Sequence, residues 1–275
     1  MLTVYSYNEA INTDIHFLHG NSMTPNSYKN ILDSLSNTFN VKTSVLRPLW
    51  KNNDFVDFSN WDIFLEDYLD SIKNEEKITG IGHSIGGNIL LKSAMLNPDK
   101  FEKIILLDPT FFPPYTIYAW RMISFFKVQS YFLAYIKNAE NKKMQYNSIE
   151  DMFNSYRRYK IFSRFSDEDL LLFVNSLIFE KDGKVNLIFD SRWDAHIYRT
   201  GLVNDMFIWK NLQKLKTKTF IIRAEYSDVF YKKTSKLVLK RNSDIKIETL
   251  VGADHLFPIN NSVNTLKLIE NFINT

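Results

Sequence analysis

Residues Ile78 to Asn88 read Ile-Thr-Gly-Ile-Gly-His-Ser-Ile-Gly-Gly-Asn, and they constrain the fold more than any other stretch of the chain. A short apolar run leads into Gly82-x-Ser84-x-Gly86. Ile89, Leu90, Leu91, Ala94 and Met95 then recur at helical spacing until Asn97-Pro98. The pattern predicts a buried strand, a sharp turn and a helix. A serine at the apex of such a turn has a strained backbone. Its neighbours two residues away must be small, or their Cβ atoms collide with the strand and helix. The turn exposes the Ser84 hydroxyl and aims the first amides of the helix, with their partial positive charge, at the same point.

Other strand and helix patterns alternate around this unit. Asp14–Leu18 reads as a strand that runs into His19-Gly20-Asn21, and Thr3–Tyr7 as a short edge strand before it. Tyr28, Ile31, Leu32 and Leu35 mark a helix, Val41–Leu46 a strand, and Trp61 to Ile72 a helix capped by Ser59 or Asn60. Ile104-Ile105-Leu106-Leu107 is apolar on both faces, as in a buried parallel strand. The alternation stops at Pro109 and resumes with the strand Thr219–Ala224. A helix over Thr234–Leu239, a last strand over Ile245–Leu250 and a closing helix over Ser262–Phe272 follow. The fold class expected is α/β, a mostly parallel central sheet flanked by helices. Residues 1–110 and 211–275 form its core domain.

Residues 111–210 are helical in pattern and rich in Tyr, Phe and Trp, with Asp167 as a helix cap, a turn at Lys181-Asp182-Gly183-Lys184 and a short strand or extended piece at Val185–Phe189. No Gly/Ser linker sets this region apart, so it reads as a helical cap inserted into the domain. At 275 residues and 45% hydrophobic, the chain can bury a sizeable core. Its 34 basic and 31 acidic residues are spread along the chain and argue for no nucleic-acid partner. With no cysteine there is no disulfide, thiol nucleophile or thiolate metal site. The start at Met1 lacks the features of a signal peptide, and no apolar run reaches the ~18–20 residues of a membrane helix. The expectation is a cytoplasmic monomer or homodimer that takes a small-molecule substrate and needs no metal or cofactor.

A serine hydroxyl needs an imidazole as base, and the imidazole needs a carboxylate to orient it. Of the five histidines, His255 follows the last strand in Gly252-Ala253-Asp254-His255, which lets it reach back over the strand ends. His16 lies within a strand, His83 points away from its neighbour Ser84, and His19 shapes the loop after the first strand. Two carboxylates compete as the acid. Asp228, in the polar turn Glu225-Tyr226-Ser227-Asp228, is preferred, and Asp108 is the alternative. The backbone N–H groups of Asn21 and Ile85 are the candidate oxyanion donors. Phe111 and Phe112, which follow the Asp108 strand, and Trp193 and His196 in Trp193-Asp194-Ala195-His196 are the candidate substrate-lining residues.

Taken together, His19-Gly20, Gly82-His83-Ser84-Ile85-Gly86-Gly87, Ile105-Leu106-Leu107-Asp108-Pro109, Ser227-Asp228 and Asp254-His255 resemble the alpha/beta-hydrolase superfamily over nearly the whole chain. The resemblance implies a triad of Ser84, Asp228 and His255 beneath a cap. One departure lies after Leu46, where relatives commonly carry Arg-Gly-His-Gly and this chain has Arg47-Pro48-Leu49-Trp50. The function expected is a serine hydrolase for a carboxylic ester or thioester with a hydrophobic acyl or aryl group. The alternatives are a carbon–carbon bond hydrolase or proton-abstracting lyase of the same fold, and a non-catalytic small-molecule-binding protein.

Overall fold

The structure, a computed structural model, describes residues 14–51 and 54–275. The expected strand at Thr3–Tyr7 lies outside the described residues. In chain order the first half contains β1 (Asp14–Leu18), α1 (Lys29–Ser36), β2 (Asn40–Ser44), α2 (Asp62–Ser71), β3 (Ile78–His83), α3 (Ile85–Leu96) and β4 (Phe101–Leu107). After a long excursion come β8 (Lys218–Ala224), α11 (Lys232–Arg241), β9 (Lys246–Leu250), α12 (Phe257–Asn260) and α13 (Ser262–Ile273). These six strands form one sheet in the order β2-β1-β3-β4-β8-β9, with every neighbouring pair parallel.

A parallel sheet must be covered on both faces, and the strand sequences meet that demand. Every residue of β3 is buried. Along β4 the side chains alternate between two cores. Ile105 and Leu107 join Phe17, Ile31, Phe220 and Phe272 on one side. Ile104 and Leu106 join Phe64, Leu90, Ile221 and Val238 on the other. The chain moves outward from β1 to β2, then crosses back to β3 on the far side of β1. In sheets of this kind ligand sites lie at such a reversal, beyond the carboxyl ends of the strands.

The excursion between β4 and β8 contains α4 (Pro114–Phe125), α5 (Gln129–Phe132), α6 (Ala134–Glu140), β5 (Gln145–Tyr146), α7 (Ile149–Arg157), α8 (Asp167–Ser176), β6 (Ile178–Lys181), β7 (Lys184–Leu187), α9 (Ser191–Thr200) and α10 (Met206–Asn211). It is less purely helical than its sequence suggests. β6 and β7 form an antiparallel hairpin, and β5 joins it in a small three-stranded sheet. The hairpin turns at Asp182 and Gly183, both at positive φ, the geometry that matches the twist of two-residue hairpins. The α8 cap is Ser166, whose side chain accepts from the Asp169 amide. Asp167 is the first helical residue and not the cap.

The excursion is packed into both cores. Tyr156, Phe162, Phe173 and Leu177 belong to the first, and Phe111, Ile117, Trp193 and Trp209 to the second. A buried ion pair ties it to the central helix. Lys92 Nζ on α3 lies 2.9 Å from Asp205 Oδ1, with the side chains only 3% and 1% exposed. Asn88 Nδ2, one turn earlier on α3, donates to the other oxygen of Asp205 at 3.0 Å and to the Thr110 carbonyl at 2.8 Å.

Candidate active site

The turn between β3 and α3 has the strain that its sequence predicts. Ser84 lies at φ 56°, ψ −119°, outside the regions comfortable for a residue with a side chain. The two glycines permit it. A Cβ on Gly82 would sit 2.6 Å from the Gly86 carbonyl oxygen, and one on Gly86 would sit 2.5 Å from the Leu18 carbonyl oxygen. The turn is pinned by neighbouring strand ends, with Ser84 N–H donating to the Leu107 carbonyl at 3.1 Å and Thr110 N–H to the Ser84 carbonyl at 3.0 Å.

His255 reaches this point from the loop after β9. Its Nε2 lies 3.0 Å from Ser84 Oγ and its Nδ1 lies 2.8 Å from Asp108 Oδ2. A carboxylate only accepts, so Nδ1–H donates to Asp108 and leaves Nε2 free to accept the serine proton. The imidazole is 17% exposed and the Asp108 side chain fully buried. Burial alone would lower the His255 pKa. The hydrogen bond and charge of Asp108 outweigh it, with Asp228 and Asp254 adding to the pull, so the net shift is upward from 6.5.

The carboxylate that His255 meets is thus Asp108, the alternative, and not the preferred Asp228. Asp108, at φ 41° after β4, is locked in place. Its Oδ1 accepts from Ala224 N–H at 2.9 Å, and its Oδ2 accepts from Ser227 Oγ at 2.8 Å as well as from His255. Asp228, one residue past Ser227, is exposed and accepts from the Tyr135 hydroxyl at 2.6 Å. Its charge reaches the imidazole, but its hydrogen bond goes elsewhere.

Asn21 lies in the loop after β1, and Ile85 is the first residue of α3. Among the described residues neither backbone N–H has a hydrogen-bond acceptor, the condition an oxyanion donor must meet. The loop around Asn21 is held by His19. Its Nδ1–H donates to the Gly20 carbonyl at 2.7 Å, and its Nε2 accepts from Leu46 N–H at 3.0 Å. Burial lowers the His19 pKa to about 4, so it works as a neutral strut.

Sequence reasoning missed three contributors. Tyr28 Oη accepts from Gly20 N–H at 2.9 Å and donates to His83 Nδ1 at 2.7 Å. His83 Nε2–H in turn donates to the His255 carbonyl at 2.9 Å. This buried chain joins the Asn21 loop, the residue before Ser84 and the loop of the base. Burial holds the His83 pKa well below 6.5, with the charge of His255 adding to it. The third contributor is Thr110, whose Oγ1 lies 3.3 Å from Ser84 Oγ. The available signal was position: Thr110 follows Asp108-Pro109, and Tyr28 opens the first helical face.

The four lining candidates fare differently. Phe111 is fully buried between Trp209 and Phe230, with ring centroids 5.0 and 5.8 Å away. Trp193 is core, packed on Phe58 and Phe64. His196 is occupied by the 55–58 loop, its Nε2 2.7 Å from the Phe58 carbonyl and 2.9 Å from Asp57 Oδ1. Among the described residues, Phe111 and Trp193 are thus held by ring packing and His196 by the 55–58 loop. Phe112 stays half-buried, edge-on to Tyr231 at 5.8 Å. Among the described residues no group of acidic and histidine side chains is arranged to hold a metal ion.

No family model matches the sequence, and none of the curated proteins matches it. Solved structures do match in shape. E-2-(acetamidomethylene)succinate hydrolase superposes with a TM-score of 0.76 over 100% of both chains at 16% identity. The peroxisomal alpha-beta-hydrolase Lpx1 of Saccharomyces cerevisiae gives 0.76 at 16% identity, covering 99% of this chain and 81% of its own. An esterase of M. tuberculosis gives 0.74 at 13% identity, covering 100% and 92%. At such identities the likeness speaks for the backbone. With the parallel sheet order and the strained serine turn, it shows that this chain has the alpha/beta-hydrolase fold.

Proposed function

We propose that the chain is a serine hydrolase that cleaves a carboxylic ester or thioester with a hydrophobic acyl or aryl group through an acyl-enzyme. The observation that carries this reading is the Ser84–His255–Asp108 line, with contacts of 3.0 and 2.8 Å and a serine backbone strained toward solvent. His255 Nε2 removes the Ser84 proton as Oγ attacks the carbonyl carbon. Asp108 stabilises the imidazolium that forms, and the amides of Asn21 and Ile85 receive the oxyanion. His255 then returns the proton to the leaving alcohol or thiol. Water, deprotonated by the same imidazole, releases the acid.

Residues 111–210 serve as the cap in this reading, and Phe112 with Tyr231 contributes an apolar rim. Support for an acyl substrate also comes from neighbours of the same fold described as esterases and a thioesterase. A carbon–carbon hydrolase or lyase acting on a carboxylate substrate calls for an inward-facing cation. Four of the cap arginines have carboxylate partners instead: Arg157 pairs with Asp167, Arg164 with Asp254, Arg192 with Asp190 and Arg199 with Glu140. Arg121 and Arg158 are exposed.

The test is labelling by a fluorophosphonate probe alongside hydrolysis of p-nitrophenyl esters of increasing chain length. Wild type should be labelled once, at Ser84, and should prefer medium or long acyl chains, with both activities gone in Ser84→Ala. A folded wild-type protein that takes no label and turns over no ester overturns the reading.

A further inference from the structure

The helix α4 is apolar on two opposite sides. One side, with Ile117 and Trp120, is buried. On the other, Tyr115, Tyr118, Met122 and Phe125 are 55–77% exposed and fall within about 100° of arc at 3.6 residues per turn. The chain continues the patch through Phe126, Tyr131 and Phe132, each at least 63% exposed. Scattered apolar residues on a surface need no explanation, but a contiguous aromatic stripe of this kind marks an interaction face.

The charge on this stretch is one-sided. Residues 109–139 contain Arg121, Lys127 and Lys137 and no aspartate or glutamate. All three cations are exposed, and Lys137 lies over the Tyr131 ring at 5.1 Å. A second copy of the chain is a poor occupant for such a face. Two-fold pairing would bring two basic segments together with no carboxylate on either to offset the charge. An anionic bilayer surface suits it better, because the aromatic rings favour the headgroup boundary and the cations the lipid phosphates. At 12 residues α4 is too short to cross a bilayer, and among the described residues no helix is long and apolar enough to do so. The face can therefore lie on a membrane but not span it.

We infer that the α4–α5 face docks on the surface of an anionic lipid bilayer. The patch adjoins the candidate site. Phe112, just before α4, packs on Tyr231, and Tyr135, just after α5, holds Asp228 beside the Ser227 that bonds Asp108. Docking would thus place the approach to Ser84 against lipid, but the docking claim is independent of the hydrolase reading.

The experiment is vesicle co-sedimentation with the full-length Ser84→Ala protein, which separates binding from catalysis. Phosphatidylcholine vesicles, with and without a third of phosphatidylglycerol, are the probe. Binding should be at least tenfold tighter to the anionic vesicles and weaken as salt is raised, since each cation is worth about fivefold at such a surface. Phe125→Glu with Phe132→Glu should cut it at least tenfold. Both side chains are more than 65% exposed, so the fold should survive, as circular dichroism would show. Two results overturn the inference. One is folded protein that ignores anionic vesicles, including the case where sedimentation velocity finds a dimer that the Glu pair abolishes. The other is vesicle binding that the Glu pair leaves unchanged.

Discussion

The imidazole of His255 sits between a hydroxyl and a carboxylate, and its proton equilibrium decides when Ser84 can react. Only the neutral ring can accept the serine proton. Because Asp108 favours the charged ring, its pKa is raised above 6.5, and the proposed activity should be lost as pH falls through that raised value. The pH profile of kcat/KM for a p-nitrophenyl ester should therefore rise through a midpoint above 6.5. In Asp108→Asn the residual activity should show that midpoint moved down. A wild-type midpoint below 6.5 would contradict the assignment. That Ser84 and His255 meet was legible because local rules single them out: a glycine-flanked serine, and a histidine in the loop after the last strand. The carboxylate partner of His255 was harder. Asp108 and Asp228 both follow strands that end at the site, and β4 and β8 are adjacent, so sequence order alone cannot separate them. What decides is a left-handed backbone at Asp108 and the Ala224 amide and Ser227 hydroxyl waiting for its carboxylate, all of them three-dimensional facts.

Among the elements, α3 carries the most. Its first residue offers an amide at the site, its Gly86 lets it approach β1, and its Lys92 anchors the segment before α10 through Asp205. Removing Asp205 leaves the buried Lys92, among the described residues, with only the more distant, partly exposed Asp62, 3.7 Å away. Asp205→Ala should cost about 3–5 kcal/mol of stability, and Lys92→Met with Asp205→Leu should recover most of it. Urea unfolding followed by circular dichroism measures both. Equal stability of wild type and Asp205→Ala would show that the pair is solvated. The strands and helices of the main sheet could be read from their periods, because buried parallel strands and amphipathic helices have distinct patterns. The small sheet was read only in part. β5 has two residues and β6 is mostly exposed, so neither leaves a hydrophobic signature, and the turn at 181–184 with the extended piece at Val185–Phe189 announced only β7. The aromatic content of 111–210 was likewise ambiguous, since the same residue types fill the core at Phe111 and Trp193 and face solvent at Phe125 and Phe132.

For the molecule as a whole, the sheet acts as a device for bringing distant residues together. Ser84 and His255 are 171 residues apart in the chain, and Asp108 and His255 are 147 apart, yet the carboxyl ends of β3, β4 and β9 deliver all three to one point. The excursion between β4 and β8 lengthens the chain without disturbing that register, since β4 and β8 pair directly. The most direct test compares two conservative variants of the wild-type protein, Asp108→Asn and Asp228→Asn, by the rate at which a fluorophosphonate labels Ser84. Asp108→Asn should slow labelling by about 10³–10⁴-fold, the scale expected when the carboxylate that orients a catalytic imidazole is lost, and Asp228→Asn by less than about tenfold. A large loss in Asp228→Asn with near-normal labelling of Asp108→Asn would contradict the assembly of Ser84, His255 and Asp108 as the reacting unit.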